Sequence, residues 1–522
     1  MESQRTTRLL IVLLFAVGAA HAVVHTVPFE DAYITYRYAE HLASGLGLVY
    51  NAGERVEGCT SLAWTVTLAA VARFGLPLEP VSQLLSLVGG LVLAWTTLRL
   101  SRVVSATQAL DGWQLLGPIG VMASGTWAYY SGSGMETTTF AALVTGAAWV
   151  AVAECDRRRA YGAGLLLGLA AMTRPEGAGY AMAVLAAVLL GKARRDALRL
   201  ALGFLVLFLP YFLGRWWYFG HLLPNTYYAK AAPSLSLFKA GVVHAEAFLT
   251  SQAFWFPLTA ALGLGIVRRH ERVWRIVAAV VLAALANAIF VGGDTFAYYR
   301  LFLPALPCGA VALVAVTRSL GTRWLTRLAG VSSAGLISAW LIITFVAQFL
   351  PTRTLLTQRP QSEWQRVAAV NRINADYFVV GSWLRQQMDP KILLAVNAAG
   401  VVPYMSQLRT LDMLGLNDEH IAHRRMQLGR GAIGHEKYDA QYVLSRQPDV
   451  ILLGLPVLAP RRIRPEELDY WFGRWFPYLP GDKQLYESDR FRRDYALVSV
   501  KIGDRHFVFF LRNRTPPFTV PP

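Results

Sequence analysis

Long runs of apolar residues occupy most of the first 350 positions and are separated by short polar segments. A helix needs about 17–25 mostly apolar residues to cross a membrane, because each residue adds about 1.5 Å of rise. The pattern predicts a polytopic α-helical membrane protein with about eleven spans. The predicted spans are Leu9–Val24, Val81–Leu98, Trp113–Tyr130, Thr137–Ala153, Tyr161–Thr173, Gly177–Gly191, Leu198–Phe219, Phe254–Val267, Val273–Val291, Leu301–Val316 and Leu328–Leu350.

Arginine and lysine residues cluster in alternate loops between these runs, and this sets the expected orientation. Such clusters mark the cytoplasmic side of a membrane protein. Ser61–Phe74 is interpreted as a helix on the outer face, because counting it as a span would put every later cluster outside. Leu9–Val24 is then an uncleaved first span that starts in the cytoplasm. The clusters are Arg99/Arg102, Arg157–Arg159, Lys192/Arg194/Arg195, Arg268/Arg269/Arg272 and Arg318/Arg323/Arg327.

Composition agrees with this class of protein. Of the 522 residues, 54% are hydrophobic and 16% are charged, whereas a soluble chain has about 25% charged residues. These values exclude a disordered chain, and three cysteines are too few for a disulfide framework. The net charge of +17 is accounted for by the cytoplasmic loops, so no nucleic-acid partner is expected.

The pattern changes after Pro351 to that of a soluble domain. Short apolar segments at Lys391–Val396 and Val450–Leu453 predict buried strands, and Ser362–Arg385 predicts a helix. Two alternating segments on either side of Gly503-Asp504 predict a β-hairpin. The sequence therefore predicts a transmembrane domain over residues 1–351 and an extracytoplasmic α/β or α+β domain over residues 352–522.

The first outer loop, Pro28–Thr60, contains the strongest candidate chemistry. Ala32–Ser44 has helical spacing and is predicted to be an amphipathic helix on the surface, with Glu30 and Asp31 at its N-terminus. Two interpretations stay open for the carboxylates. They cap the helix and interact with its dipole, or one of them accepts a proton from a hydroxyl nucleophile.

This loop resembles the first outer loop of a bacterial family that includes the mycobacterial terminal β-(1→2)-arabinofuranosyltransferase and relatives in flagellar motor control. The resemblance rests on Glu30–Ala39 and Gly45–Gly58. Further segments similar to family signatures follow in order at Ser133–Thr137, Thr173–Gly177, Leu223–Lys230, Gly292–Asp294 and Gly415–Asp418. The resemblance implies the GT-C fold of multi-span glycosyltransferases that use polyprenyl-phosphate sugars at the outer face. It also implies that the catalytic carboxylate lies in the first loop, with Asp31 as the expected base and Glu30 as the second candidate.

Outward-facing loops supply the remaining candidate site residues. Cations there are suited to pair with a donor phosphate, and the alternative is that they anchor the interface or pair with carboxylates. The carboxylates are suited to orient sugar hydroxyls or a cation, and the alternative is pairing with Arg174 or Arg300. Aromatic and amide side chains are suited to contact a sugar, although interfacial tyrosines are common. The candidates are Arg37, Arg174, Lys230, Arg300, Tyr33, Glu136, Glu176, Asn225, Tyr228 and Asp294.

The expected function is transfer of a pentofuranose, with arabinofuranose as the expected sugar, from a polyprenyl phosphate to a glycan or protein acceptor. Attack opposite the leaving phosphate predicts inversion at the anomeric carbon. No cofactor is required by the pattern, and a divalent cation is left open. The expected partners are the lipid-linked donor, the acceptor and membrane lipids, and the expected location is the bacterial inner membrane with the site facing the periplasm or exterior. A non-catalytic envelope or flagellar-motor protein and a flippase for lipid-linked glycans are the alternatives.

Overall fold

The computed structural model describes most of the chain and is predominantly helical. The described residues are 2–105, 110–152, 157–230, 234–320, 333–351, 361–429, 433–456, 458–474 and 476–513. Cys155, Arg323, Arg327 and the start of the predicted span Leu328–Leu350 lie outside these ranges, as do residues 352–360 beside the predicted domain boundary.

The helical bundle is built from the apolar runs. Its helices are α1 (Glu2–Val24), α2 (Glu30–Ala43), α3 (Leu62–Arg73), α4 (Leu78–Val104), α5 (Gly112–Ala123), α6 (Gly125–Ser131), α7 (Thr137–Val152), α8 (Arg157–Thr173), α9 (Gly177–Leu190), α10 (Arg194–Phe219), α11 (Asn225–Lys230), α12 (Leu235–Ser251), α13 (Trp255–Val267), α14 (Arg272–Phe290), α15 (Ala305–Leu320) and α16 (Ser333–Val346). Short 3₁₀ helices at Ala297–Phe302 and Ala347–Phe349 complete it. Large apolar side chains stay exposed on its outside, as lipid contact requires.

Helix lengths leave the number of spans open. Among the described residues, α4, α10 and α14 are long and apolar enough to cross a membrane, and α12 with α13 forms a fourth candidate bent by 102°. Two predicted spans differ from the structure. Trp113–Tyr130 is divided at Ser124 into α5 and α6, where the Ser124 hydroxyl accepts a hydrogen bond from the amide of Thr126. Phe254–Val267 is the second half of the bent pair, whose first half, α12, was absent from the predicted spans.

The prediction that α2 lies on the surface is wrong. Its residues Ala32 to Ala39 are buried without interruption. They pack against α3 on one side and against a short helix of the C-terminal region, Val401–Ser406, on the other. The polar positions that indicated a solvent-facing side are therefore covered by a second layer of protein.

The C-terminal region forms a mixed α/β unit around one sheet. Within the described residues the strand order is β2–β1–β3–β5–β4, with β1 parallel to β2 and β3, and β5 antiparallel to β3 and β4. The strands are β1 (Leu393–Val396), β2 (Arg409–Asp412), β3 (Val450–Ile451), β4 (Tyr495–Ile502) and β5 (Arg505–Arg512). The helices are α17 (Glu363–Gln387), α18 (Val401–Ser406), α19 (Glu419–His423), α20 (Ala440–Ser445), α21 (Leu468–Gly473), α22 (Pro480–Tyr486) and α23 (Asp489–Asp494), with a 3₁₀ turn at Pro465–Glu467. The sequence prediction of an α/β or α+β unit with a terminal hairpin is confirmed.

Buried hydrogen bonds connect this unit to the first loop. The guanidinium of Arg37 donates to the carbonyl oxygens of Tyr50, Pro403 and Leu408 at 2.6–2.8 Å. Asn51 donates to the carbonyl oxygen of Thr410 at 2.8 Å. Because a buried donor without a partner is costly, these bonds hold the C-terminal unit over the first loop.

Candidate active site

Asp31 lies at the junction of the bundle and the C-terminal unit. The residue that caps α2 is Phe29, which makes no side-chain capping bond, so neither Glu30 nor Asp31 is the N-cap. The Oδ2 atom of Asp31 is 3.9 Å from the Nη1 atom of Arg300, and its side chain is 20% exposed. The carboxylate is therefore open to a small molecule while it faces a buried cation.

The carboxyl group of Glu30 contacts the C-terminal unit. Its Oε1 atom accepts hydrogen bonds from the amides of Gly400 at 2.6 Å and Val401 at 3.3 Å, at the N-terminus of α18. Burial, and after it the charge of Asp31, raise the pKa of Glu30 to about 8 against the lowering effect of these amides. A side chain at position 400 would overlap the backbone oxygen of Glu30, so the close approach requires glycine.

Arg300 is held by a tight turn after α14. Gly292 and Gly293 have φ of 83° and 90°, a left-handed conformation that glycine adopts without strain. The turn places Asp294 so that its Oδ2 atom accepts a hydrogen bond from Nε of Arg300 at 2.5 Å. Tyr298 and Tyr299, with φ of 62° and 52°, reverse the chain again before Arg300.

The ion pair keeps Arg300 charged in a buried position. Burial, the largest single influence, lowers the pKa of Arg300, but the charges of Asp294 and Asp31, the nearby Tyr130 and the hydrogen bond with Asp294 together outweigh it, and the net pKa is raised. Burial raises the pKa of Asp294. The charge of Arg300, and after it those of His244 and Lys230, oppose this effect, and the net pKa lies below its ordinary value. Both groups are therefore ionised near neutral pH, and a permanent cation lies beside Asp31.

Arg174 is a second, partly buried cation, which lies in the loop between α8 and α9. Its Nη1 atom is 2.9 Å from Oε1 of Glu136, and its Nε atom is 2.6 Å from Oε1 of Glu176. Burial lowers the pKa of Arg174, the two carboxylates raise it above its ordinary value, and the charge of Arg300 acts in the opposite direction. The pairing alternative considered for Glu136, Glu176 and Asp294 is thus the arrangement that the structure contains.

Lys230 of the bundle and His435 of the C-terminal unit both interact with the charged groups of the site. Lys230 ends α11, and its charge acts on Asp294 and on His435. A Cβ atom at Gly434 would lie 3.4 Å from Cδ of Lys230, so the loop before His435 is packed on this lysine. His435 is not among the candidate residues predicted from the sequence, because no local pattern in the polar segment Gly434–Lys437 shows which distant loop it will contact.

Four predicted residues lie in other surroundings. Arg37 is occupied by the hydrogen bonds described above, which argues against a role in binding phosphate. Tyr33 packs its ring 5.5 Å from that of Phe378 in α17. Asn225 donates to the carbonyl oxygens of Gly415 and Leu416 at 2.9 Å. Tyr228 packs its ring 4.1 Å from that of His423.

These four residues join the loops of the bundle to the C-terminal unit. The cation that faces Asp31 is instead Arg300, whose surroundings include the charge of Arg174, while the charge of Lys230 acts on Asp294. The described residues contain no group of three or more histidines, cysteines or acidic residues that could hold a metal ion.

The fold defines the class. The chain has the GT-C fold, a bundle of apolar helices joined to a C-terminal unit that contains a sheet. In keeping with the sequence prediction, it aligns with the crystal structure of ArnT from Cupriavidus metallidurans bound to undecaprenyl phosphate. That alignment has a TM-score of 0.58 at 14% identity and covers 96% of this chain and 97% of ArnT. The apo structure of the same protein aligns with a TM-score of 0.56.

Two sequence comparisons refine this result. The terminal β-(1→2)-arabinofuranosyltransferase of Mycobacterium tuberculosis is 29% identical over 289 residues, which are 50% of this chain and 44% of the relative. The match therefore spans less than half of that curated relative. A protein-family model described as a domain of unknown function (DUF8728) matches residues 361–511, the part of the chain that contains the sheet.

Proposed function

We propose that this protein is a membrane glycosyltransferase that moves a sugar from a polyprenyl-phosphate donor to an extracytoplasmic glycan or protein. Asp31 is the general base. The observation that carries the proposal is the partly exposed Asp31 carboxylate at 3.9 Å from the buried cation Arg300, at the junction of the bundle and its C-terminal unit. A transferase of this kind needs a base and a cation within one sugar of each other.

The chemistry follows from the two groups. A sugar hydroxyl is far less acidic than a carboxylic acid, so the base accepts its proton as the new bond to the anomeric carbon forms. The phosphate leaves with the electron pair of the broken bond, and nearby guanidinium groups offset its growing charge. Arg300, Arg174 and Lys230 serve this purpose, and attack from the side opposite the phosphate inverts the anomeric centre.

The donor is inferred from the two relatives together. The ArnT crystal structure contains undecaprenyl phosphate, which supports a polyprenyl-phosphate carrier for this chain. The relative from Mycobacterium tuberculosis is an arabinofuranosyltransferase, which supports a pentofuranose, and arabinofuranose in particular. The charge distribution between the predicted spans supports an orientation with Asp31 on the outer side, which is the periplasmic or exterior side of a bacterial inner membrane.

The test is consumption of donor by the purified full-length protein in detergent or nanodiscs. A panel of polyprenyl-phosphate sugars, including arabinofuranose, a second pentose and a hexose, is supplied with a mixed glycan acceptor and followed by mass spectrometry. The proposal predicts that the arabinofuranose donor is consumed and free polyprenyl phosphate accumulates. A folded protein that consumes no donor would support the non-catalytic alternative. Donor that crosses a proteoliposome membrane unchanged would support the flippase.

A further inference from the structure

The segment that leads into Arg300 has an unfavourable backbone conformation. Tyr298 and Tyr299 have φ of 62° and 52°, in the left-handed region that bulky residues rarely adopt. Such a conformation persists only where the surrounding structure holds it in place. Because Arg300 follows directly in the chain, the contacts that hold these tyrosines also determine where the backbone of Arg300 lies.

Two side chains at the start of α17 hold this segment. The amide of Tyr298 donates a hydrogen bond to Oε2 of Glu363 at 2.8 Å. The carbonyl oxygen of Thr295 accepts a hydrogen bond from Nη2 of Arg366 at 3.2 Å. Both bonds come from the C-terminal unit, so this unit contributes to the position of a segment that belongs to the bundle.

The side chain of Arg300 has two partners within its own segment. Its Nε atom donates to Asp294, and its Cζ atom lies 4.4 Å from the centre of the Phe296 ring. These contacts shape the side chain, but they cannot by themselves fix its distance from another element such as α2. That distance requires bonds between elements, and the bundle supplies one, from the hydroxyl of Tyr130 to the carbonyl oxygen of Ala297 at 2.7 Å.

Glu363 is not the residue that caps its own helix. A capping box formed by Ser362 and Gln365 satisfies the N-terminus of α17. Glu363 is 1% exposed, and its two carboxylate oxygens accept from Nη1 of Arg366 at 2.9 and 3.1 Å. Because a buried carboxylate is costly unless it is paired, this ion pair keeps the acceptor for the amide of Tyr298 in place.

We propose that Glu363 is a positioning residue that fixes Arg300 beside Asp31 by binding the amide of Tyr298. This role rests on the proposed transferase function, in which Arg300 offsets the charge that grows on the leaving phosphate. Glu363 acts through Arg300 and not on the donor itself. The packing of α17 against the bundle is therefore part of the catalytic arrangement, because the C-terminal unit completes the placement of the cation.

The test is a double-mutant cycle between E363A and R300K in the full-length protein, assayed on the donor that the panel identifies. Alanine removes the acceptor for the amide of Tyr298, and lysine keeps a cation but loses the planar guanidinium. We expect each single variant to lower kcat on the order of 10–10²-fold, with KM for the donor within about twofold of the wild type. The double variant should have a kcat within about twofold of R300K, because Glu363 acts through Arg300.

E363Q and E487A are the matched variants. The single atom Oε2 of Glu363 accepts from both the amide of Tyr298 and Nη1 of Arg366, and the side-chain oxygen of glutamine can accept both bonds. E363Q should therefore keep kcat within about threefold of the wild type. Glu487 is an exposed glutamate of the same unit, and E487A should keep the wild-type kcat.

Thermal midpoints and size-exclusion profiles establish that each variant is folded. E363D, which withdraws the carboxylate by one carbon–carbon bond and keeps its charge, replaces E363A in the cycle if that variant does not fold. The proposal is overturned if E363A or R300K keeps the wild-type kcat, or if their effects on kcat multiply in the double variant. It is equally overturned if E363Q loses as much activity as E363A. Wild-type protein without turnover on any donor contradicts the proposed function itself, which distinguishes the two failures.

Discussion

Glu30 and Asp31 are neighbours in the chain, yet the structure gives them different surroundings. Glu30 binds two amides of the C-terminal unit, whereas Asp31 keeps a partly exposed carboxylate beside Arg300. Two adjacent positions at a helix start point about 100° apart, so one of them faces the covering layer and the other faces the opening. This geometry supports Asp31 as the base and gives Glu30 a structural role.

The raised pKa of Glu30 predicts how stability depends on pH. The folded protein holds this proton up to about pH 8, whereas an unfolded glutamate releases it near pH 4.5. Between these values the unfolded state binds fewer protons, so stability is fully present below about pH 4.5 and is lost as pH rises through 8. The slope is at most about 1.4 kcal/mol per pH unit for this group.

E30Q removes this titration and keeps an oxygen that accepts from Gly400. Thermal midpoints measured at intervals from pH 5 to pH 9 should decline less in E30Q than in the wild type, with a relative gain for the variant at pH 9. Parallel curves for the two proteins would show that Glu30 does not titrate in this range.

For single residues, the sequence predicted which residue types lie at the site better than it predicted the groups that those residues contact. Arg174, Arg300 and Asp294 were predicted from their loops, and each forms a buried ion pair at the site. Arg37 was predicted on the same grounds, but its contacts with Pro403 and Leu408 lie more than 360 positions away in the chain. Local pattern reveals a residue's type and its element, and it cannot show which distant carbonyl groups will surround it.

Among the helices and strands, α18 is the helix through which the C-terminal unit contacts α2. Its first two amides are satisfied by Glu30, since Gly400 offers no side chain of its own as a cap. An N-terminus whose amides bind a carboxyl oxygen from another element couples the two structures. The position of α2, and hence of Asp31, therefore depends on a contact that the first loop alone does not possess.

G400A should weaken this contact. The added methyl group would overlap the backbone oxygen and the carboxyl group of Glu30, and overpacking of this kind costs about 1–3 kcal/mol. We expect a lower thermal midpoint together with faster proteolysis of the C-terminal unit. G473A is the control, because the space around that glycine is open. Equal midpoints for G400A and the wild type would mean that α18 is not held against Glu30 as described.

Elements were predicted correctly where the hydrophobic pattern was long or where the paired strands were adjacent in the chain. The helix predicted at Ser362–Arg385 is α17, and the hairpin predicted around Gly503 is formed by β4 and β5. The break at Ser124 and the bend between α12 and α13 were missed, because an apolar run has the same composition whether or not it is straight. The burial of α2 was missed for a different reason, since its cover comes from the far end of the chain.

For the whole molecule, the distribution of charge predicts one orientation in the membrane. The C-terminal unit and the Asp31 site are expected outside, and the arginine and lysine clusters are expected inside. Single cysteines test this orientation in intact bacterial cells whose outer membrane is permeabilised, after the native Cys59, Cys155 and Cys308 are replaced by serine. Ser445 is an exposed residue at the end of α20 in the C-terminal unit, and Arg195 is an exposed residue at the start of α10, on the side that is expected to be cytoplasmic, so S445C and R195C report on the two sides.

A membrane-impermeant maleimide should label S445C in intact cells, and it should label R195C only after the inner membrane is disrupted. The reverse pattern would invert the topology and place Asp31 in the cytoplasm. Labelling of both sites in intact cells, with an intact inner membrane verified by a cytoplasmic marker, would contradict a membrane boundary between them.

The central claim is that Asp31 accepts the proton of the acceptor hydroxyl, and turnover of purified D31N tests it most directly. Asparagine has the same shape but cannot take up the proton, so we predict a kcat about 10²–10⁴-fold below the wild type, with unchanged thermal midpoint and unchanged retention of the lipid-linked donor. E30Q, assayed beside it, should keep most of its activity. A folded D31N protein that transfers sugar at the wild-type rate would contradict the account.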